Sequence, residues 1–178
     1  YLYTGGLGYM TKEGLLYVKG RFKSLLISSD GEKYSPEGIE EALVEKSKYI
    51  DQVMLYNNQS AYTTALIVPN REALKRKLSH FNLTLDTEEG RKAAVKKLEE
   101  ELVKYRKGGE FEGMFPERWL PTTFAVLAEP FTEQNQMINS TMKMVRGKIE
   151  KAYAARIDYM YTAEGKQTQN QQNLDALK

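Results

Sequence analysis

A chain of 178 residues can hold one domain with a substantial core, or a smaller domain with pieces of another, but not two large domains. Its 41% hydrophobic and 28% charged residues form a globular mixture, and a net charge of +2 creates no demand for nucleic acid or anionic lipid. The absence of cysteine excludes disulfide scaffolds, thiolate zinc sites and cysteine nucleophiles, and the single histidine, His80, cannot supply paired imidazoles.

The chain begins at Tyr1, inside an apparent strand and without an initiating methionine, so its natural N-terminus is expected to lie further upstream. Gly8-Tyr9-Met10 and Leu15-Leu16-Tyr17-Val18 flank the polar break Thr11-Lys12-Glu13-Gly14, which predicts a hairpin. An isolated hairpin buries too little to be stable, so its apolar face is expected to pack on protein upstream. After Leu25-Leu26-Ile27 and the polar stretch 28–34, Ser35-Pro36 predicts a helix with serine as cap. Ile39, Ala42 and Leu43 form its apolar face, with Glu37, Glu40, Glu41 and Glu45 expected in solvent.

Val53–Tyr56 and Thr64–Val68 read as antiparallel strands joined through Asn57-Asn58-Gln59-Ser60. Asn70 is placed to cap a helix running to about Leu78, and Asp86 with Glu89 to cap a longer one carrying Val95, Leu98, Leu102 and Tyr105, ended by Gly108-Gly109. A strand follows at Thr123–Leu127, then a long helix from Met142 to about Met160 with Thr141 as cap. The Gln/Asn-rich tail after Gly165 is expected to be mobile or weakly helical. No apolar run approaches the roughly 20 residues of a membrane helix. A soluble chain is expected, with room for peripheral membrane contact, and the lack of cysteine favours the cytoplasm.

Three ordered segments carry a resemblance. They are Tyr3-Thr4-Gly5-Gly6-Leu7-Gly8; Gly20-Arg21-Phe22-Lys23-Ser24 running on to Gly31-Glu32-Lys33-Tyr34-Ser35-Pro36 with Ile39-Glu40; and Thr141-Met142-Lys143-Met144-Val145-Arg146. In kind and order they resemble the AMP-forming adenylate enzymes, and among these the long-chain fatty acid-CoA ligases, although Gln136 and Ser140 stand where that branch often has glycine and proline.

The resemblance implies a site residue by residue. Lys143 would be the catalytic lysine, bridging a carboxylate and an α-phosphate whose oxygens gain charge during adenylation. Arg21 would lie near the ribose, and Gly6 occupies the family's aspartate position, where it offers no carboxylate to the ribose hydroxyls. Ser24 would be the hinge, and Gly31, Glu32, Lys33 and Tyr34 would line the passage used by CoA in thioester formation. No residue is assigned to a metal. Without this company Lys143 is one of many solvated lysines, and Gly31 serves an ordinary turn.

The organisation implied is residues 1–23 from the end of a large N-terminal AMP-binding domain, 24–165 as a mobile C-terminal domain with a helical insertion at about 71–115, and 166–178 as a polar tail. The fold class is α+β, a small sheet flanked by helices. The implied function is that of the C-terminal part of a long-chain fatty acid-CoA ligase, inactive alone. The full-length protein would use ATP, Mg2+ (held mainly by the N-terminal domain) and CoA, with a fatty acid and its own N-terminal domain as partners. The alternatives are an acyl-carrier-protein ligase or other adenylate-forming enzyme, or a catalytically impaired acyl- or nucleotide-binding relative, the last suggested by Gly6. A basic module using Arg71, Lys75, Arg76, Lys92, Lys96 and Lys97 is outweighed by their reading as solvated helix faces.

Overall fold

Apolar runs within 50–69 and 121–127 build the centre of the fold. In the computed structural model, which describes the backbone at 6–10 and 16–21 and the chain over 24–178, β5 (Ile50–Tyr56) pairs antiparallel with β7 (Thr63–Pro69). β7 in turn pairs parallel with β8 (Pro121–Val126), giving the order β5-β7-β8. Successive side chains of a strand point to opposite faces. One face therefore presents Val53, Leu55, Ala65, Ile67, Phe124 and Val126 to one core, and the other presents Met54, Leu66, Val68 and Ala125 to a second. Burial on both faces explains why these strands read as nearly continuous apolar runs.

Helices cover both faces, so the class is α+β with helices on either side of a small sheet. On the first face lie Ile39 and Leu43 of α1 (Glu37–Lys46), Leu74 and Leu78 of α2 (Arg71–Ser79), and Val95, Leu98 and Leu102 of α3 (Glu88–Val103). The second core takes Ile149 from α4 (Arg146–Ala152) and Ile157 and Met160 from α5 (Ala154–Met160). A second sheet, β4-β3-β6, joins β3 (Leu26–Ser28) antiparallel to β4 (Lys33–Tyr34) and parallel to β6 (Asn58–Ser60). The expected turn between β5 and β7 thus also supplies a strand to the neighbouring sheet. Upstream, β1 (Gly6–Met10) and β2 (Leu16–Arg21) form the expected antiparallel hairpin, whose turn lies outside the described residues.

Several local expectations are corrected. The N-cap of α1 is Pro36, with no side-chain cap bond, because Pro36 already has helical angles. Asn70 caps α2 as expected, its side chain accepting from the Ala73 amide, but α3 is capped by Thr87 and not by the Asp86/Glu89 pair. The reason is a close docking: a Cβ on Gly90 would fall 1.6 Å from the Thr84 carbonyl oxygen, so glycine at that position lets the helix entry sit against the preceding turn. α3 ends at Val103, short of Gly108-Gly109.

The long helix expected from Met142 starts only at Arg146 and is interrupted at Tyr153. The tail is ordered into the fold: after α6 (Ala163–Lys166), α7 (Gln171–Ala176) buries Leu174, with Leu177 just beyond it, in the first core. Polar Asn173, 1% exposed, donates to the carbonyls of Phe124 and Thr168 and accepts from the Val126 amide. Its side chain satisfies the edge of β8, which is why a polar segment packs here. Arg71 donates to the carbonyls of Ala176, Leu177 and Lys178 and so completes the C-terminal end of α7.

Candidate functional site

The turn between β3 and β4 is built by local hydrogen bonds. The Gly31 amide donates to the Ser28 carbonyl at 3.0 Å and the Ser28 amide to the Glu32 carbonyl at 2.9 Å, while Gly31 adopts φ +89°. A Cβ there would meet nothing within 4 Å, so the backbone angle and not crowding calls for glycine. Asp30 closes the turn by accepting from the Ser28 hydroxyl and from the Glu32 amide, and these bonds hold its carboxyl below the ordinary range.

Glu32 faces away from the apex toward the 3-10 turn Glu117–Trp119. Arg118 donates to both carboxylate oxygens, from Nε to Oε1 at 2.7 Å and from Nη2 to Oε2 at 2.9 Å, and the Trp119 indole N–H donates to Oε1 at 2.7 Å. These donors, Arg118 before Trp119, keep the Glu32 carboxyl below its usual range. The Trp119 ring stacks on Tyr34 with centroids 5.3 Å apart and planes 8° from parallel. Tyr34 itself is buried at 2% exposure, its hydroxyl bonded to Thr63 and receiving the Asn57 amide at 3.1 Å. Lys33 is exposed on β4. Of the four loop residues, Gly31 and Lys33 thus reach solvent, Glu32 is clamped and Tyr34 anchors the loop to the core.

Lys143 lies in a tight reversal closed by a bridge between Ile138 and Met144. The Asn139 amide donates to the Lys143 carbonyl at 2.9 Å, and the Asn139 side-chain oxygen accepts from the Thr141 amide at 3.0 Å, the Thr141 hydroxyl at 2.7 Å and the Lys143 amide at 3.0 Å. One asparagine therefore fixes the backbone on both sides of Met142, which is held at φ +65°. Gln136 also takes a left-handed angle, φ +64°. The Lys143 side chain is exposed and makes no hydrogen bond or ion pair with the described residues.

The two loops share a mount. Expected in solvent, Glu40 is instead 5% exposed: it accepts from Nη1 and Nη2 of the Arg146 guanidinium and, through Oε2, from the Leu55 amide at 2.7 Å. A buried carboxylate needs such partners, and Arg146 supplies the charge. Burial works against the Arg146 cation, but Glu40 outweighs it and holds the guanidinium above its ordinary value. Thus α1, which follows the Gly31 loop, is tied to the residue three positions after Lys143. The Ser24 hydroxyl lies 3.4 Å from Glu37 on the first turn of the same helix. In the hairpin Gly6 stands opposite Arg21 in register, and Thr4, Gly5, Phe22 and Lys23 lie outside the described residues.

Sequence reasoning missed Asn139, Arg118 and Trp119. For Asn139 the signal was present, an asparagine opening a short polar run. Arg118 and Trp119 carried none, because their partner is 86 or 87 positions away. Among the described residues no cluster of three His, Cys, Asp or Glu side chains could hold a metal, and no helix is long and apolar enough to cross a membrane.

Residues 23–105 match the family model described as the AMP-binding enzyme C-terminal domain. That stretch, just under half of the chain, is thus similar to the C-terminal domain of AMP-binding enzymes. Relatives of this domain include long chain acyl-CoA synthetase 8 of Arabidopsis thaliana, 28% identical over 90% of this chain and 22% of the relative. A chloroplastic long-chain-fatty-acid–[acyl-carrier-protein] ligase from the same plant is 26% identical over 84% of this chain and 18% of its own length. The chain therefore spans about a fifth of the length of these relatives. The adenylation domain of a carboxylate reductase from Mycobacterium chelonae shares the fold, with TM-score 0.70 and 24% identity over 89% of this chain and 22% of the other.

Proposed function

We propose that this domain is the mobile C-terminal part of a long-chain fatty acid-CoA ligase and that Lys143 and the Gly31 loop serve its two half-reactions in turn. The observation that carries the reading is the Lys143 loop: a solvent-facing lysine whose backbone is held by two bonds to Asn139, which also holds Thr141 through two more. In the first half-reaction a fatty acid carboxylate attacks the α-phosphorus of ATP, and the Lys143 ammonium balances the charge growing on the phosphoryl oxygens. In the second, rotation about Ser24 replaces Lys143 with the Gly31 loop, beside which the thiol of CoA attacks the acyl carbonyl and AMP leaves.

Nucleotide would be bound chiefly by a large domain ending in the 1–23 hairpin, with Arg21 near the ribose; 24–165 would then be the mobile domain. Mg2+ would be held mainly by that larger domain. The reading places the reaction in the cytoplasm, in keeping with a cysteine-free chain. Fatty acid, ATP and CoA are its substrates, and its own N-terminal domain is its partner.

The test is ATP–pyrophosphate exchange in the full-length protein carrying Lys143→Ala. Removal of an electrostatic stabiliser of this kind lowers the rate on the order of 100- to 1,000-fold. Exchange at the wild-type rate would remove Lys143 from the mechanism. A second reading, a carrier-protein thiol as acceptor, is favoured by the acyl-carrier-protein ligase among the relatives, and the thiol that releases AMP from the acyl-adenylate decides it. Gly6 motivates a third, a catalytically impaired binder; tight ATP binding without exchange in the wild type would support it.

A further inference from the structure

We infer that Arg118 and Trp119 are positioning residues for the thioester-forming half-reaction, clamping Glu32 so that the Gly31 turn keeps one conformation. This rests on the ligase reading above. The bonds among residues 28–32 shape the turn but are all internal to it, and β3 and β4, which pair at only two positions, do little to fix it against the rest of the fold. The clamp supplies what the strands lack. Three hydrogen bonds converge on one carboxylate, two in the forked geometry that a planar guanidinium imposes. Arg118 also lies over the Trp119 ring, 5.6 Å from its centroid, and that ring stacks on Tyr34, the buried foot of the same loop. The loop is therefore gripped at Glu32 and at Tyr34 by two adjacent residues.

Those residues are themselves fixed. The 3-10 turn is bounded by Pro116 and leads directly into β8, and the Trp119 and Leu120 amides donate to the carbonyls of Pro116 and Glu117. The clamp thus transmits the position of the central sheet to the Gly31 backbone. In the step it serves, the CoA thiol loses its proton to water as sulfur bonds to the acyl carbon, the bond from that carbon to the phosphate oxygen breaks, and AMP leaves with the electron pair. A loop displaced by an ångström slows such a step without touching adenylation, for which Lys143 is in place.

The experiment measures both half-reactions in the full-length protein with Arg118→Ala and, because that variant can also disturb the turn, with Trp119→Phe, which keeps a smaller ring against Tyr34 and removes the N–H donor. Pyrophosphate exchange should stay within about twofold of wild type, while acyl-CoA formation from preformed acyl-adenylate falls about 10- to 100-fold for Arg118→Ala and less for Trp119→Phe. The fall should lie in the maximal rate rather than in the KM for CoA. Wild-type thioester rates in both variants, or equal loss of both half-reactions in both, would overturn the clamp while leaving the ligase reading intact. A wild-type protein that forms neither acyl-adenylate nor thioester would overturn the ligase reading and this one with it.

Discussion

Arg146 holds Glu40 across 106 positions of sequence, with one guanidinium nitrogen 2.9 Å from Oε2 and a second bonded to Oε1. The pair joins the helix after the Gly31 loop to the segment after Lys143, and Glu40 also satisfies the Leu55 amide of the central sheet. Removing either partner leaves a buried charge alone, so Arg146→Ala and Glu40→Ala should each lose about 3–5 kcal/mol in urea unfolding, with the double variant losing less than their sum. Additive losses would show that the two side chains act independently.

Asn139→Ala removes one acceptor that three donors share around Lys143. Since the site is exposed, global stability should change by less than about 1 kcal/mol. Adenylation by the full-length protein should nevertheless fall about tenfold, through misplacement of Lys143. An unchanged exchange rate would show that the lysine needs no fixed backbone.

The Glu32 clamp should open in acid. Arg118 and then Trp119 lower the carboxyl below its reference value of 4.5, so the stabilisation is complete above that value and is lost as pH falls through the lower folded-state value. Trp119 is the chain's one tryptophan, and its emission reports the event. The change should occur below pH 4.5 in the wild type, move to higher pH in Arg118→Ala and be absent from Glu32→Gln. A wild-type midpoint at or above 4.5 would contradict the assignment of the lowering to these donors.

The polar tail should matter as much as a core helix. Asn173→Ala leaves the Val126 amide and two carbonyls without their partner, a loss of about 2–3 kcal/mol, and Leu177→Ala opens a cavity costing about 2–5 kcal/mol. Chemical denaturation of the two variants measures both. Stabilities within 0.5 kcal/mol of wild type would mean that α7 is an appendage.

Much of the framework was legible in order along the chain. Val53–Tyr56, Thr64–Val68 and Thr123–Leu127 announced strands by their apolar runs, Asn70 announced a cap, and Val95, Leu98 and Leu102 announced a buried face, because strand and helix periods are local properties of the backbone. The segment around Gly31 likewise lies within the residues that match the C-terminal domain of AMP-binding enzymes.

What sequence could not supply was the company each polar residue keeps. Glu40 and Glu41 look alike on the same helix, yet only Glu40 enters the core, because a charge is buried where a distant partner meets it. Arg118 reaches Glu32 and Asn173 reaches β8 through contacts that leave no period in the chain. The sequence by itself determined the main strands, the helices around Leu43, Leu74 and Leu98, and their order. Only the tertiary structure decided which side chains hold the two loops, because hydrogen bonds and ion pairs between remote residues are settled by packing and not by local preference.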